Sequence, residues 1–195
     1  MNSILNVMEF KSDRETPILV LADMHAGILS DEDRESREVA LALDNCRAVL
    51  AHARAMEFPI AMLRQTAPMR SLLETRPYPA WIKGFEPRRS DMVFDRAMPS
   101  CYASPEFAKM IERTSRSFVL AGLSSEMSCL STIVTAYHHH HQATYLADAS
   151  FCSTKRYFSS AELAKGVTAV LSLYGAISTT GSWINNSSRL LAGAA

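Results

Sequence analysis

An acid at Asp23, a cation at Arg96 and a thiol at Cys129 lie far apart in the chain, yet together they could act on an acyl carbon. Each closes or follows a short apolar run: ILVLA before Asp23, MVFD before Arg96, and FVLAG ahead of Leu-Ser-Ser-Glu-Met-Ser-Cys129. If these runs are parallel strands, their carboxyl ends share one edge of a sheet, where open α/β sheets collect their ligands. Acyl chemistry there needs a thiolate, a proton shuttle and hydrogen-bond donors for the developing oxyanion. Cys129 falls in the first turn of a predicted helix, where the macrodipole and free N–H groups favour a thiolate. Iodoacetamide should then label it faster than Cys46, which sits mid-helix among apolar neighbours. The competing readings are a small buried hydrophobe at Cys129 and a structural ion pair between Arg96 and Asp23.

The elements that must position these groups alternate along the chain. Strand-like runs are predicted at Pro17 to Ala22, Ile60 to Leu63, Met92 to Asp95, Ser117 to Gly122, Ala143 to Ala147 and Ala176 to Thr180. Helical patterns fill the gaps: a long helix from Asp31 to just before Phe58, then Pro105 to Ser115, Ser125 to about His140, and Ser159 to Tyr174. Ser159 reads as an N-cap with Glu162 closing a capping box. Such alternation predicts a single-domain α/β protein, a three-layer α-β-α stack around a six-stranded, mainly parallel, doubly wound sheet. The core spans about 17–180, and the tail from Asn185 reads as loosely held. Residues 65–90 hold Pro68, Pro77, Pro79 and Pro87 together with Trp81, and read as a cover over the site.

Composition narrows the function. The chain has 195 residues, 48% of them hydrophobic, enough for one domain. Twenty basic residues balance twenty acidic ones, which argues against nucleic acid and membrane partners and leaves a small-molecule substrate. Charged residues from Glu9 to Glu15 break any secretory leader, so a cytoplasmic protein is expected, its four scattered cysteines being free thiols.

Three segments carry a resemblance: LVLADMHAG (19–27), DRAMPSCY (95–102) and LAGLSSEMSCLSTIVTA (120–136), with a further likeness in ATYLADAS (143–150). In order and spacing the chain resembles the isochorismatase-like cysteine hydrolases, the superfamily of nicotinamidases, carbamoylsarcosine amidase and isochorismatase. The resemblance implies Cys129 as nucleophile, Asp23 as acid/base and a cation at Arg96, where the family has lysine. It also implies a cis peptide at Ser124–Ser125 that turns backbone N–H groups toward an oxyanion. A guanidinium can hold charge as a lysine does but cannot give up a proton. The implied reaction is hydrolysis of a small amide or carbamoyl compound through a thioester. The alternatives are vinyl-ether hydrolysis, which leans on the aspartate, and a non-catalytic binding homologue. A homo-oligomer is implied, to which Leu190 and Leu191 could contribute.

No metal and no cofactor are expected. The region after the second strand, Arg64 to Arg70, lacks the metal ligands of the nicotinamidase branch. In the run His138 to His141 only the first and last share a helix face. His25, Trp81 and Tyr102 are candidate substrate contacts; the competing readings are a loop histidine and two core aromatics.

Overall fold

The computed structural model describes residues 18–66, 80–153 and 157–192. Strand β1 is Ile18–Ala22, buried throughout. It leads to a short helix α1, Asp31–Arg34, and a long helix α2, Arg37–Ala55. The single helix expected from Asp31 is thus two, because Ser30 and Ser36 each supply an N-cap and the second cap interrupts the first helix. Strands β2, Ile60–Gln65, and β3, Met92–Arg96, follow, then helix α3, Pro105–Arg113. Strand β4, Ser117–Gly122, enters a π-helical turn at Ser125–Cys129 that continues as helix α4, Leu130–His138. Strand β5, Gln142–Ser150, helix α5, Ser160–Leu171, strand β6, Ala176–Ser178, and helix α6, Thr180–Ala192, complete the order.

All six strands are parallel, in the order β3-β2-β1-β4-β5-β6. The chain winds outward one way from β1 and the other way from β4, so the topological switch point lies between these two strands, where a crevice forms at the carboxyl ends. Side chains alternate between two cores. Leu19, Leu21, Met62 and Val119 meet Val39, Cys46, Val49 and Leu50 of α2. Ile18, Val20, Leu63 and Leu120 meet Phe107 and Ile111 of α3, Ile133 of α4 and Leu171 of α5. Parallel strands buried on both faces explain the unbroken apolar runs in the sequence.

The chain end departs from expectation. Residues 185–192, read as loose, belong to α6, because Trp183 is buried against Phe58 and His52, and Ser187 Oγ lies 2.8 Å from His52 Nε2. Thr180, placed in the last strand, opens this helix with its N–H and hydroxyl donating to Asp148. The side chains of Leu190 and Leu191 lie outside the described residues, as do residues 67–79 of the expected cover. Among the described residues no helix is long and apolar enough to cross a membrane.

The Ser159–Glu162 capping box forms as read, with reciprocal backbone bonds of 3.3 and 2.9 Å. Ser159→Ala should therefore lower stability by about 1 kcal/mol in urea denaturation; an unchanged midpoint would show that the box contributes nothing.

Candidate active site

Two backbone features shape the switch point. Asp23 has φ of 62°, in the left-handed region that a short polar side chain tolerates, and its N–H donates to Leu63 O at 2.8 Å. Gly122, with φ of +149°, ends β4 so close to β1 that an added Cβ would stand 2.2 Å from Ala22 O. The first forces the chain to leave β1 sharply and buries the Asp23 side chain. The second lets the β4 turn lie directly against it.

Asp23 and Arg96 meet as expected. Arg96 reaches across from the end of β3, and its Nη2 donates to Asp23 Oδ2 at 2.6 Å, with both side chains fully shielded from solvent. The guanidinium is held on its other side by Met98 O at 2.7 Å and Gln65 Oε1 at 3.4 Å. Gln65 also donates its backbone N–H to Asp23 Oδ1 at 3.1 Å. Removing one partner of such a buried pair leaves an uncompensated charge, so this arrangement is strongly held.

The third member differs from the sequence-based expectation. The side chain that reaches the pair from the β4 turn is Ser128: its Oγ donates to Asp23 Oδ2 at 2.5 Å and accepts from Arg96 Nη2 at 3.0 Å. Cys129, one residue on, turns into the core on the α4 side, among Cys101, Tyr145 and Cys152. Burial pushes its thiol well above the usual range, with Cys101, Asp23 and Cys152 adding to the effect and a hydrogen bond to Ser125 opposing it. Desolvation thus works against the lowered pKa expected at a helix N-terminus. Burial also raises the Cys46 thiol. Iodoacetamide should leave Cys129 and Cys46 of the native protein unmodified while labelling all four cysteines of the unfolded chain; rapid native labelling at Cys129, read by peptide mass, would contradict this burial.

The Ser124–Ser125 peptide is trans, contrary to expectation; the turn is made instead by Ser124 at φ of 58°. The N–H groups of Ser125 and Ser128 donate to Phe151 O at 2.8 Å and Ser124 O at 2.7 Å, so neither is free for an oxyanion. A π turn at this point is a feature often found at functional sites, because it re-aims side chains within a helix.

His25 stands beside the pair, 4% exposed, with Nε2 at 3.8 Å from Asp23 Oδ1, too long for a hydrogen bond. It forms an antiparallel bridge with Trp81, whose ring lies 5.2 Å below the Arg64 guanidinium. Arg64 is paired to Asp95 at 2.8 Å. The bridge sets the Trp81 backbone beside His25, and Trp81 packs against the hydrophobic core that includes Met24. Tyr102 is committed elsewhere: its hydroxyl lies 2.7 Å from His141 Nδ1 and its ring stacks on His139, while His141 Nε2 contacts Glu112 at 2.8 Å. That network gives the histidine run a structural place at the end of α4. Among the described residues no cluster of three His, Cys, Asp or Glu groups is arranged to hold a metal ion. Sequence reasoning missed Ser128 and Gln65. Only the adjacency of Ser128 and Cys129 signalled the former, since neighbours on a helix point about 100° apart.

A parallel, doubly wound sheet with a buried acid–cation pair at its switch point defines the class. The isochorismatase-domain family profile matches residues 17–175, and the chain belongs to this family of hydrolases. Solved structures agree in fold. An isochorismatase-family hydrolase from Chromobacterium violaceum superposes with a TM-score of 0.77 at 19% identity, covering 92% of this chain and 97% of that one. An isochorismatase from Pseudomonas putida gives 0.74 at 19%, covering 91% and 95%. A cysteine hydrolase from Pseudomonas syringae gives 0.73 at 17%, covering 97% and 95%. At these identities the likeness is one of fold. No curated protein sequence matches the chain.

Proposed function

We propose that the protein hydrolyses a small enol ether by proton transfer at Asp23, in the manner of an isochorismatase. The observation that supports this reading is that the group bonded to Asp23 from the β4 turn is the Ser128 hydroxyl, while among the described residues no hydrogen bond joins the Cys129 thiol to Asp23 and burial disfavours its ionisation. Arg96 and Ser128 occupy Asp23 Oδ2, which leaves Oδ1, bonded to the Gln65 N–H, as the oxygen for a ligand. A carboxyl proton added to the terminal alkene carbon puts positive charge on the carbon bearing the ether oxygen. Water adds there, its proton returns to Asp23, and the hemiketal loses the alcohol to leave a 2-oxo acid. Arg96 Nε is buried without a partner among the described residues and could donate to the substrate's carboxylate.

Acyl transfer through a Cys129 thioester is the competing reading. It would require a thiolate to form in a fully buried position with Asp23 adding to the cost. An attack by Ser128 fares no better, since a carboxylate already held by the Arg96 guanidinium is a weak base for an alcohol. The test is turnover of isochorismate, read as pyruvate release, beside ammonia release from small amides and ureido acids. Cys129→Ala should retain pyruvate release within about threefold, as expected for a residue outside the reacting set. Ammonia release that Cys129→Ala abolishes would overturn the proposal in favour of the amidase.

A further inference from the structure

His25 is buried beside the acid–cation pair, and among the described residues neither Nδ1 nor Nε2 has a hydrogen-bond partner. Buried polar atoms are nearly always paired, so an imidazole with both nitrogens unpaired next to a buried acid points to a task that the resting protein does not display. The residue is held in place by its backbone: the His25 N–H donates to Asp23 O at 2.8 Å, and His25 bridges to Trp81. Nε2 stands 3.8 Å from Asp23 Oδ1, too long for a direct hydrogen bond but short enough for one water oxygen to reach both atoms. Oδ1 is also the carboxylate oxygen that Arg96 and Ser128 leave open.

We propose that His25 is a second catalytic group, the base that takes a proton from the water adding to the substrate while Asp23 serves as the acid. The proposal rests on the enol-ether reading above and divides its proton transfers between two residues. Water adds to the carbon bearing the ether oxygen, one bond away from the carbon that Asp23 protonates, and a carboxylate held by the Arg96 guanidinium is a weak base for it. A neutral imidazole with its proton on Nδ1 offers a lone pair at Nε2. Burial lowers the His25 pKa; Asp23 opposes this, while Arg64, itself paired to Asp95, and Arg96 add to it, so the ring is neutral at neutral pH. The steps close on themselves. The Asp23 carboxyl proton passes to the terminal alkene carbon, and the π bond opens to leave the cation. As the bond from the water oxygen to that cation forms, one water proton moves to Nε2. The imidazolium then protonates the ether oxygen as its bond to the same carbon breaks, and the hydroxyl proton of the hemiketal returns to Asp23 as the ketone forms. Both residues end as they began, with one water consumed.

The test is the pH dependence of pyruvate release from isochorismate by the wild-type protein and His25→Gln. Wild-type kcat/KM should fall on acidification, because protonation removes the base. Since the His25 pKa is lowered, that fall should set in below the ordinary histidine value of about 6.5. His25→Gln should lose about 100-fold or more in kcat, with KM within about threefold, since the group lost meets the water rather than the substrate. Its remaining rate should no longer fall over the same pH range. If circular dichroism shows His25→Gln unfolded, His25→Asn serves the same comparison. A wild-type rate that does not fall on acidification overturns the proposal, as does a variant within about tenfold of wild-type kcat. So does a variant slowed in the same proportion at every pH, the mark of a merely structural residue. Absence of pyruvate release by the wild type defeats the enol-ether reading and this proposal with it, whereas wild-type release matched by the variant defeats this proposal alone.

Discussion

Asp23→Asn should abolish turnover, lowering kcat by about 10²–10⁴-fold, because the amide can neither deliver nor recover a proton. The substitution is close to isosteric, so the packing around position 23 is kept. Its Oδ atom can still accept from Ser128 or Arg96, the two donors that meet Asp23 Oδ2 at 2.5 and 2.6 Å. The loss should therefore appear in kcat with substrate binding largely retained. Circular dichroism and an unfolding midpoint must accompany the kinetics, since the change strips the counter-charge from a fully buried guanidinium. A folded Asp23→Asn protein within tenfold of wild-type kcat would remove Asp23 from the chemistry altogether.

Arg96→Met should destabilise the protein by about 3–5 kcal/mol, the usual consequence of removing one partner from a buried ion pair. Asp23 would be left with the Ser128 hydroxyl and the Gln65 N–H as hydrogen-bond donors among the described residues. Arg96→Lys should fall between the two. An ammonium can sit against Asp23, but it lacks the planar fork by which the guanidinium meets Asp23, Ser128, Gln65 and Met98 together. Urea denaturation orders the three proteins. Wild-type stability in Arg96→Met would mean that the pair contributes nothing net. An Arg96→Lys protein more active than wild type would instead indicate that the site works better with the lysine usual in the family, and that Arg96 marks a decline of the catalytic set.

The strands and most of the helices were legible because each leaves a local mark. Residues 18–22 are continuously apolar since β1 is covered on both faces, and Ser159 with Glu162 announces α5 through a capping box that needs only four residues. Asp23 and Arg96 could be assigned to one edge for the same reason, as strand ends in a parallel sheet must share it. Helix α6 was missed because its polar run Asn185 to Ser188 was read as a loose tail, although Trp183, Ile184, Leu190 and Leu191 recur at helical spacing in the sequence; its position is fixed by Trp183 meeting Phe58 and His52 from distant parts of the chain. The break between α1 and α2 was missed because Ser36 caps a helix inside a run that is polar throughout.

The sequence by itself thus determined the parallel sheet, the winding of the chain and the pairing of an acid with a cation at the strand ends, since these follow from local apolar patterning. Only the tertiary structure decided which of two adjacent side chains faces Asp23. That choice depends on the phase of one turn: Ser124 in a left-handed conformation and a π turn over Ser125–Cys129 rotate Ser128 toward Asp23 and Cys129 into the core. A rotation of about 100° per residue separates the two outcomes, and no local pattern encodes the phase. The reactivity of the thiol follows from that choice, because desolvation depends on what surrounds a group in space rather than on its neighbours along the chain.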